Sequence, residues 1–176
     1  TKVGTNLWDF EGDVTTAPDI DAYAYISAVG TFTDAEQGYI NTLFLALKAA
    51  GVYSTYYAAY PFRGGSASAH KWNMVNPVDS DAAYRMTFTG SPTHGTNGVA
   101  FNGSSQYGDT KLSPSLVMNQ DSKHYSAYFR SIGSGAQFGA GNGSFKGDVL
   151  VSNSGGSMYW RISTLYVTSA PPGTRT

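Results

Sequence analysis

The texture of this chain changes at Gly51, and that change limits what it can fold into. Before Gly51 the apolar residues recur at helical spacing; after it they come in short runs broken by Gly, Asn, Ser and Pro. Thr33-Asp34-Ala35-Glu36 fits a capping box, in which the threonine and glutamate side chains satisfy each other's backbone donors. Behind it Ile40, Leu43, Phe44 and Leu47 form one apolar stripe, and Gly51 closes the helix. Upstream, Thr16-Ala17-Pro18-Asp19 supplies a hydroxyl cap, a proline for the first turn and acids that favour the helix dipole. This predicts a helix from about Pro18 to Val29, ended by Gly30 in the left-handed conformation. Two helices joined so closely run antiparallel, which makes an αα-hairpin. Ahead of it, Asn6 to Val14 reads as an extended piece anchored by Leu7, Trp8 and Phe10.

Beyond the hairpin, Val52, Tyr53, Thr55, Tyr56, Tyr57 and Tyr60 favour extended structure until Pro61-Phe62-Arg63-Gly64-Gly65 breaks it. β-favouring runs then follow at Ala83–Thr89, Val99–Phe101, Gln106–Thr110, His124–Ser131, Gln137–Ala140, Asp148–Ser152, Met158–Ser163 and Leu165–Thr168. The clusters between them include Ser91-Pro92, Asn97-Gly98, Asn102-Gly103, Gly133–Gly135, Gly141–Gly143 and Asn153–Gly156. Short strands at this spacing suggest a sandwich or barrel, and no further long helix is expected. The expected division is residues 1–52, an extended segment plus helical hairpin, and residues 53–176, a β-sandwich.

Composition agrees with a β-rich surface protein. Charged residues are 13 % of the chain, with 21 glycines and 13 tyrosines in their stead, while 41 % hydrophobic residues rule against a disordered chain. The net charge of −1 gives no global field for nucleic acid or an anionic membrane. Charge is nevertheless uneven: residues 1–60 carry seven acids and two bases, residues 61–176 nine bases and five acids. Either two differently composed modules or two mutually attracting parts would give that pattern. With no cysteine, disulfides and thiolate chemistry are excluded. No apolar stretch is long enough to span a bilayer, so membrane insertion is not expected. The first residue is not Met, which points to a processed, trimmed or partial chain.

Val99-Ala100-Phe101-Asn102-Gly103-Ser104-Ser105-Gln106-Tyr107 is the most informative stretch. Asn102-Gly103 offers a turn with positive φ, and Phe101 and Tyr107 are expected to anchor neighbouring strands in the core. The stretch resembles the opening signature of laminin-G-like, concanavalin-A-like jelly rolls. Leu112-Ser113-Pro114 and Tyr125-Ser126-Ala127-Tyr128-Phe129-Arg130 follow in the order such domains show. A wider resemblance takes in the hairpin, Ala59-Tyr60-Pro61-Phe62-Arg63-Gly64-Gly65, His70-Lys71-Trp72-Asn73 and Asp81-Ala82-Ala83-Tyr84-Arg85. In that order, over roughly residues 18–168, these are similar to bacteriophage and prophage virion proteins, tail or structural, that end in a laminin-G-like domain. The resemblance implies a mainly β fold: an antiparallel laminin-G-like (concanavalin-A-like) jelly-roll sandwich preceded by an N-terminal αα-hairpin. Such jelly rolls use about twelve strands, and only about eight are countable here. The sandwich is therefore read as truncated at the C-terminus or else compact, and a truncated one would leave a sheet edge open to partners.

Catalytic patterns are hard to find. His70, His94 and His124 are scattered without metal-ligand spacing, and no Gly-x-Ser-x-Gly elbow occurs. Gly133-Ser134-Gly135 and Gly139-Ala140-Gly141-Asn142-Gly143 lack the helix and Gly-Lys-Ser/Thr ending of a phosphate loop. A glycosidase pair would have to come from Asp79, Asp81, Asp109, Asp121 and Asp148. Asp79-Ser80-Asp81 is a candidate calcium site by likeness to loop acids of some laminin-G-like domains, or else a turn cap. Trp72 and Trp160 are candidates for stacking on sugars, or else core fillers. Asn102-Gly103-Ser104 and Asn142-Gly143-Ser144 match the glycosylation acceptor pattern.

These readings converge on a non-enzymatic virion protein, tail-associated, fibre or decoration, serving assembly, host-surface attachment or both. Its expected partners are other virion proteins, a homo-oligomer of itself and a host-surface glycan; its expected location is the extracellular particle, with no cofactor beyond the calcium candidate. The alternatives are a glycan-binding module of a bacterial surface protein and, third, a polysaccharide-degrading enzyme.

Overall fold

The computed structural model describes residues 18–118, 124–131, 135–141, 147–154, 157–162 and 165–168. The extended piece expected at Asn6–Val14 and the cap expected at Thr16 lie outside them. The chain falls into two compact units. The described part of the first comprises residues 18–88, 92–100 and 108–111; the second takes in residues 89–91, 101–107 and those described from Leu112 onwards.

The helical hairpin is present. Helix α1 spans Ile20–Val29 and α2 spans Asp34–Ala49. The capping box forms as expected: the Glu36 amide donates to Thr33 Oγ1 (3.3 Å) and the Thr33 amide to Glu36 Oε2 (3.1 Å). At the other end Gly51, at φ +69°, donates to the Lys48 carbonyl and Val52 to the Leu47 carbonyl, a Schellman closure. Gly30 closes α1 the same left-handed way. The start of α1 differs from expectation: the cap is Asp19, whose carboxylate accepts from the amides of Asp21 and Ala22. Lys48, in the last turn of α2, donates to both Asp19 oxygens (2.8 and 2.7 Å) and reaches Asp21 at 2.5 Å. The end of α2 therefore lies beside the start of α1, and the helices are antiparallel.

The hairpin's inner side forms the core of the first unit. Tyr25 and Phe44 are fully buried, with Ala22, Ile26, Val29, Phe32 and Ile40 around them. Rings step across it from Phe32 to Tyr25, Phe44 and Tyr53, at centroid distances of 5.7, 6.2 and 5.4 Å. Ala69 and Met74 belong to the same core, so the unit containing the hairpin continues past residue 52, where a boundary was expected. Ala69 sits on a one-turn helix, α3 (Ala67–His70), capped by Ser66. The chain reaches α3 through Gly64, whose φ is +91°. A Cβ there would lie 2.8 Å from Ala69 Cβ and 3.2 Å from Thr31 Oγ1, so only glycine lets this loop lie against the hairpin turn. Gly64→Ala is expected to cost about 3 kcal/mol from strain plus overpacking. Gly51→Ala, also at positive φ but with open space around it, should cost about 1 kcal/mol, and urea midpoints compare the two.

The expected jelly-roll sandwich is not what the chain forms. Tyr53–Thr55 is a 3-10 turn rather than extended chain, and Asp81–Ala83 is another, where the strand expected at Ala83–Thr89 would start. The strands that follow are three residues long: β1 (Thr87–Thr89), β2 (Thr93–Gly95), β3 (Gly98–Ala100) and β4 (Tyr107–Asp109). They make two separate two-stranded pairings, β1 with β4 and β2 with β3, the second falling between the strands of the first in chain order. Phe101 and Tyr107 are exposed (42 and 55 %) and anchor no core. Residues 124–129, expected within a strand, have no regular structure, and Tyr128 is 89 % exposed. Physically, two packed sheets need long strands with one apolar face each. The middle of this chain instead ties its backbone down through side chains and left-handed residues, including Phe62, Tyr84, Ser91 and Lys111.

After a short helix α4 (Pro114–Val117), the second unit contains β5 (Gly135–Gly141), β6 (Gly147–Ser154), β7 (Ser157–Ile162) and β8 (Leu165–Thr168). These overlap the last four runs read from the sequence. They form a meander in chain order, each strand antiparallel to the next. The register aligns Phe138, Val151, Trp160 and Val167 in one row across all four strands.

Candidate functional site

The motif residues of segment 59–85 gather around Asn73, which is 1 % exposed. An amide side chain can accept two hydrogen bonds and donate two, and Asn73 makes all four. Its Oδ1 accepts from the amides of Ala59 (3.0 Å) and Val75 (3.1 Å). Its Nδ2 donates to the carbonyls of Tyr57 (3.2 Å) and Ala83 (3.1 Å). Two backbone bonds brace the same crossing, from the Met74 amide to the Ala59 carbonyl and from the Met86 amide to the Lys71 carbonyl. Asn73 thus replaces, for three chain segments without a ladder, the pairing that a sheet would supply.

Beside this hub runs a series of rings. Tyr60 donates to the carbonyl of Tyr84, a residue held left-handed at φ +58°, and burial raises the Tyr60 phenol well above its usual range. Tyr60 stacks on Phe62 (6.2 Å), Phe62 meets His70 edge-on (5.8 Å), His70 lies 5.1 Å from His94, and His94 meets Phe88 edge-on (4.5 Å). His70 comes from α3 and His94 from β2, and their Nδ1 atoms are 3.0 Å apart. One nitrogen must donate and the other accept, so the pair holds together only while at least one ring is neutral. Burial first, and then the neighbouring His94, depress the His70 imidazole to about 4; burial also lowers His94. His70 Nε2 is buried without a hydrogen-bond partner. No spacing rule joins histidines 24 residues apart, so this pair is visible only in the folded chain.

The candidate calcium acids are placed otherwise. Asp79 receives Lys71 Nζ at 2.6 Å on one oxygen and Arg85 Nη1 at 2.8 Å on the other, and Asp81 receives Arg85 Nη2 at 2.7 Å. Hydrogen bonds from Lys71 and Arg85 hold the Asp79 carboxyl below its usual range. Arg85 thus stands between the two carboxylates as their cation. Among the described residues no group of three or more His, Asp or Glu side chains is placed to hold a metal. Trp72 is half-buried against the hairpin core, and Lys71 Nζ lies 4.5 Å from its ring centroid, so a cation already occupies a ring face on which a sugar would stack. Trp160 lies on β7, in register with Val151 and Val167; its side chain lies outside the description. The structure brings Trp72, Asp79 and Arg85 into one neighbourhood through Lys71.

The two glycosylation-like triplets also differ. Asn102 Oδ1 accepts from the amides of Ser104, Ser105 and Gln106, and its Nδ2 donates to Ser105 Oγ, so that side chain folds its own loop. Asn142-Gly143-Ser144 lies outside the described residues.

Comparison of the chain with protein-family models, with curated proteins and with solved structures returns no match.

Proposed function

We propose that this chain is a non-enzymatic structural component of a bacteriophage particle, tail-associated, fibre or decoration, that serves assembly and attachment to the host surface. One observation carries the non-enzymatic part: the polar side chains of the motif segment are engaged with the backbone or with one another. Asn73 uses its full hydrogen-bonding capacity, Asp79 and Asp81 neutralise Lys71 and Arg85, and the His70–His94 pair is set among aromatic rings. A catalytic site needs a nucleophile or base free to meet substrate, with a second group to orient it. The virion part is supported by the ordered motifs and by a composition that trades charges for Gly, Ser, Thr, Asn and Tyr. Adhesion is supported by large side chains left in solvent, among them Tyr39 (72 %) and Tyr128 (89 %), since aromatic residues are the commonest anchors of binding surfaces.

Mass spectrometry of particles purified by density gradient from a host that encodes the chain tests this reading. Peptides of the chain at a fixed ratio to the major particle protein are expected. Their absence from the particle fraction, with the chain present in the cell debris, would overturn it. A glycan-binding module would instead show saturable binding on a glycan array, lost on replacing Trp72.

A further inference from the structure

The β2–β3 hairpin is held to the rest of its unit by little besides one histidine. Its strands pair only with each other, through Thr93↔Ala100, His94↔Val99 and Gly95↔Gly98, and none of residues 93–100 is buried. A two-stranded hairpin of this size is marginal on its own, so it depends on what it is fastened to. Among the described residues a single hydrogen bond joins it to the rest of the unit, the one between His94 Nδ1 and His70 Nδ1 (3.0 Å). The Phe88 ring, edge-on to His94, stands beside that bond. The other end of the bond is firmly placed: His70 is 1 % exposed, on the one-turn helix whose Ala69 belongs to the helical core.

The fold supplies no counter-charge for this pair. The elements around it bring Tyr60 and Arg63 from the loop before α3, Lys71 after α3 and Asp21 on α1; β1 has no ionisable residue, and β2–β3 has His94 alone. Arg63 is paired with Glu36, Lys71 with Asp79, Asp21 with Lys48, and Asp109, which acts on Tyr60, with Lys111. The charge that bears on His70 is that of His94. An imidazolium donates through both nitrogens and accepts through neither. One added proton can therefore be shared between the two Nδ1 atoms, but a second sets N–H against N–H. It also leaves the charged His70 with its buried Nε2 donor unmet.

We propose that the His70–His94 pair is an acid-released latch: on taking up a second proton it lets go of the β2–β3 hairpin while the helical core and the Asn73 crossing stay folded. Release uncovers the His70 ring together with the half-buried rings of Phe62 and Phe88 on either side of the pair. The latch is closed above pH 6.5 and yields towards pH 4, because a released imidazole returns to the ordinary value of 6.5 while the latched His70 stays near 4. Between pH 7 and pH 5 the open fraction should rise at least about tenfold.

The latch does not depend on the chain being a virion component, and it is tested on the whole chain in solution. Amide hydrogen exchange followed by NMR, corrected for the intrinsic effect of pH, reads the opening. The amides of residues 93–100 should exchange faster than those of Ile40 and Phe44 in α2 at both pH 7 and pH 5. They should also exchange at least about tenfold faster at pH 5 than at pH 7. In the double variant His70→Asn with His94→Asn, which has no group to titrate at the latch, that rise should vanish. His94→Asn alone changes only the half-buried partner and gives His70 a neutral acceptor; it should keep the fold and reduce the rise. Hairpin amides that exchange no faster than those of α2 would mean that the hairpin opens only with the whole unit, and would refute the latch. So would hairpin exchange that does not rise between pH 7 and pH 5, or a rise that both variants leave unchanged.

Discussion

Asn73→Ala is expected to lower the unfolding free energy by on the order of 4 kcal/mol, most of the stability of an ordinary small domain. The cost does not come from one lost contact. Truncation strands four backbone groups at once, the amides of Ala59 and Val75 and the carbonyls of Tyr57 and Ala83. Each buried, unpaired group costs about 1–3 kcal/mol, reduced where water enters the space left behind. Asn73→Asp separates shape from chemistry, because it keeps the two acceptor roles but loses both donors and buries a charge. It should be at least as damaging as alanine near neutral pH. Asn102→Ala, which removes an equally busy but exposed asparagine, should cost under about 1 kcal/mol, because water takes over its partners. Urea titrations at one pH rank the three.

The second large effect is on pH. His70 is neutral when folded, with its pKa depressed by burial to about 4, against an ordinary value of 6.5. Below 6.5 the unfolded chain binds a proton that the folded chain refuses, so stability is at its full value above that pH and falls as pH drops towards 4. The loss from this one group between pH 7 and pH 5 is about 2 kcal/mol. Asp19, Asp79 and Asp109 also have lowered pKa values, but from a starting value of 3.8, so their contribution is lost only at more acid pH. His94, also lowered by burial from 6.5, adds to the His70 window, and the histidine and carboxylate windows are separable. His70→Asn, which keeps a group near the Nδ1 position and removes the titration, should be less stable than wild type at pH 7.5 and have a flatter profile from 6.5 to 4.5. An unchanged slope in that variant would show that His70 is not the group responsible.

What the sequence revealed followed the range of the interactions involved. The hairpin was legible because its signals are local: a capping box three residues wide, an apolar stripe, and glycines where the chain turns left-handed. Asp19 is the exception: it caps α1 where the helix is expected to begin at Pro18, and its carboxylate is also held by Lys48, 29 residues away. The last four strands were legible for a similar reason, being β-favouring runs between turn clusters. The middle is ambiguous in the sequence because Gly, Asn, Ser and Tyr mark turns between strands and turns between loops alike. Nothing in Phe101-Asn102-Gly103 distinguishes a core hairpin from an exposed loop held by Asn102. The Asn73 crossing and the His70–His94 pair join segments 10 to 24 residues apart without periodicity, and only the folded chain reveals them. Asp79 and Asp81 stand out in the sequence as acids in a loop, but Lys71 and Arg85, which decide their role, come to them only in the fold.

The central claim is that the polar motif residues hold the fold. Amide hydrogen exchange at the two loop amides that Asn73 Oδ1 accepts tests it most directly. Ala59 and Val75 lie in no helix or strand, yet the account predicts that they exchange only through global unfolding, as slowly as Ile40 and Phe44 in α2. Exchange of Ala59 and Val75 at the rate of exposed loop amides, with α2 still protected, would contradict it.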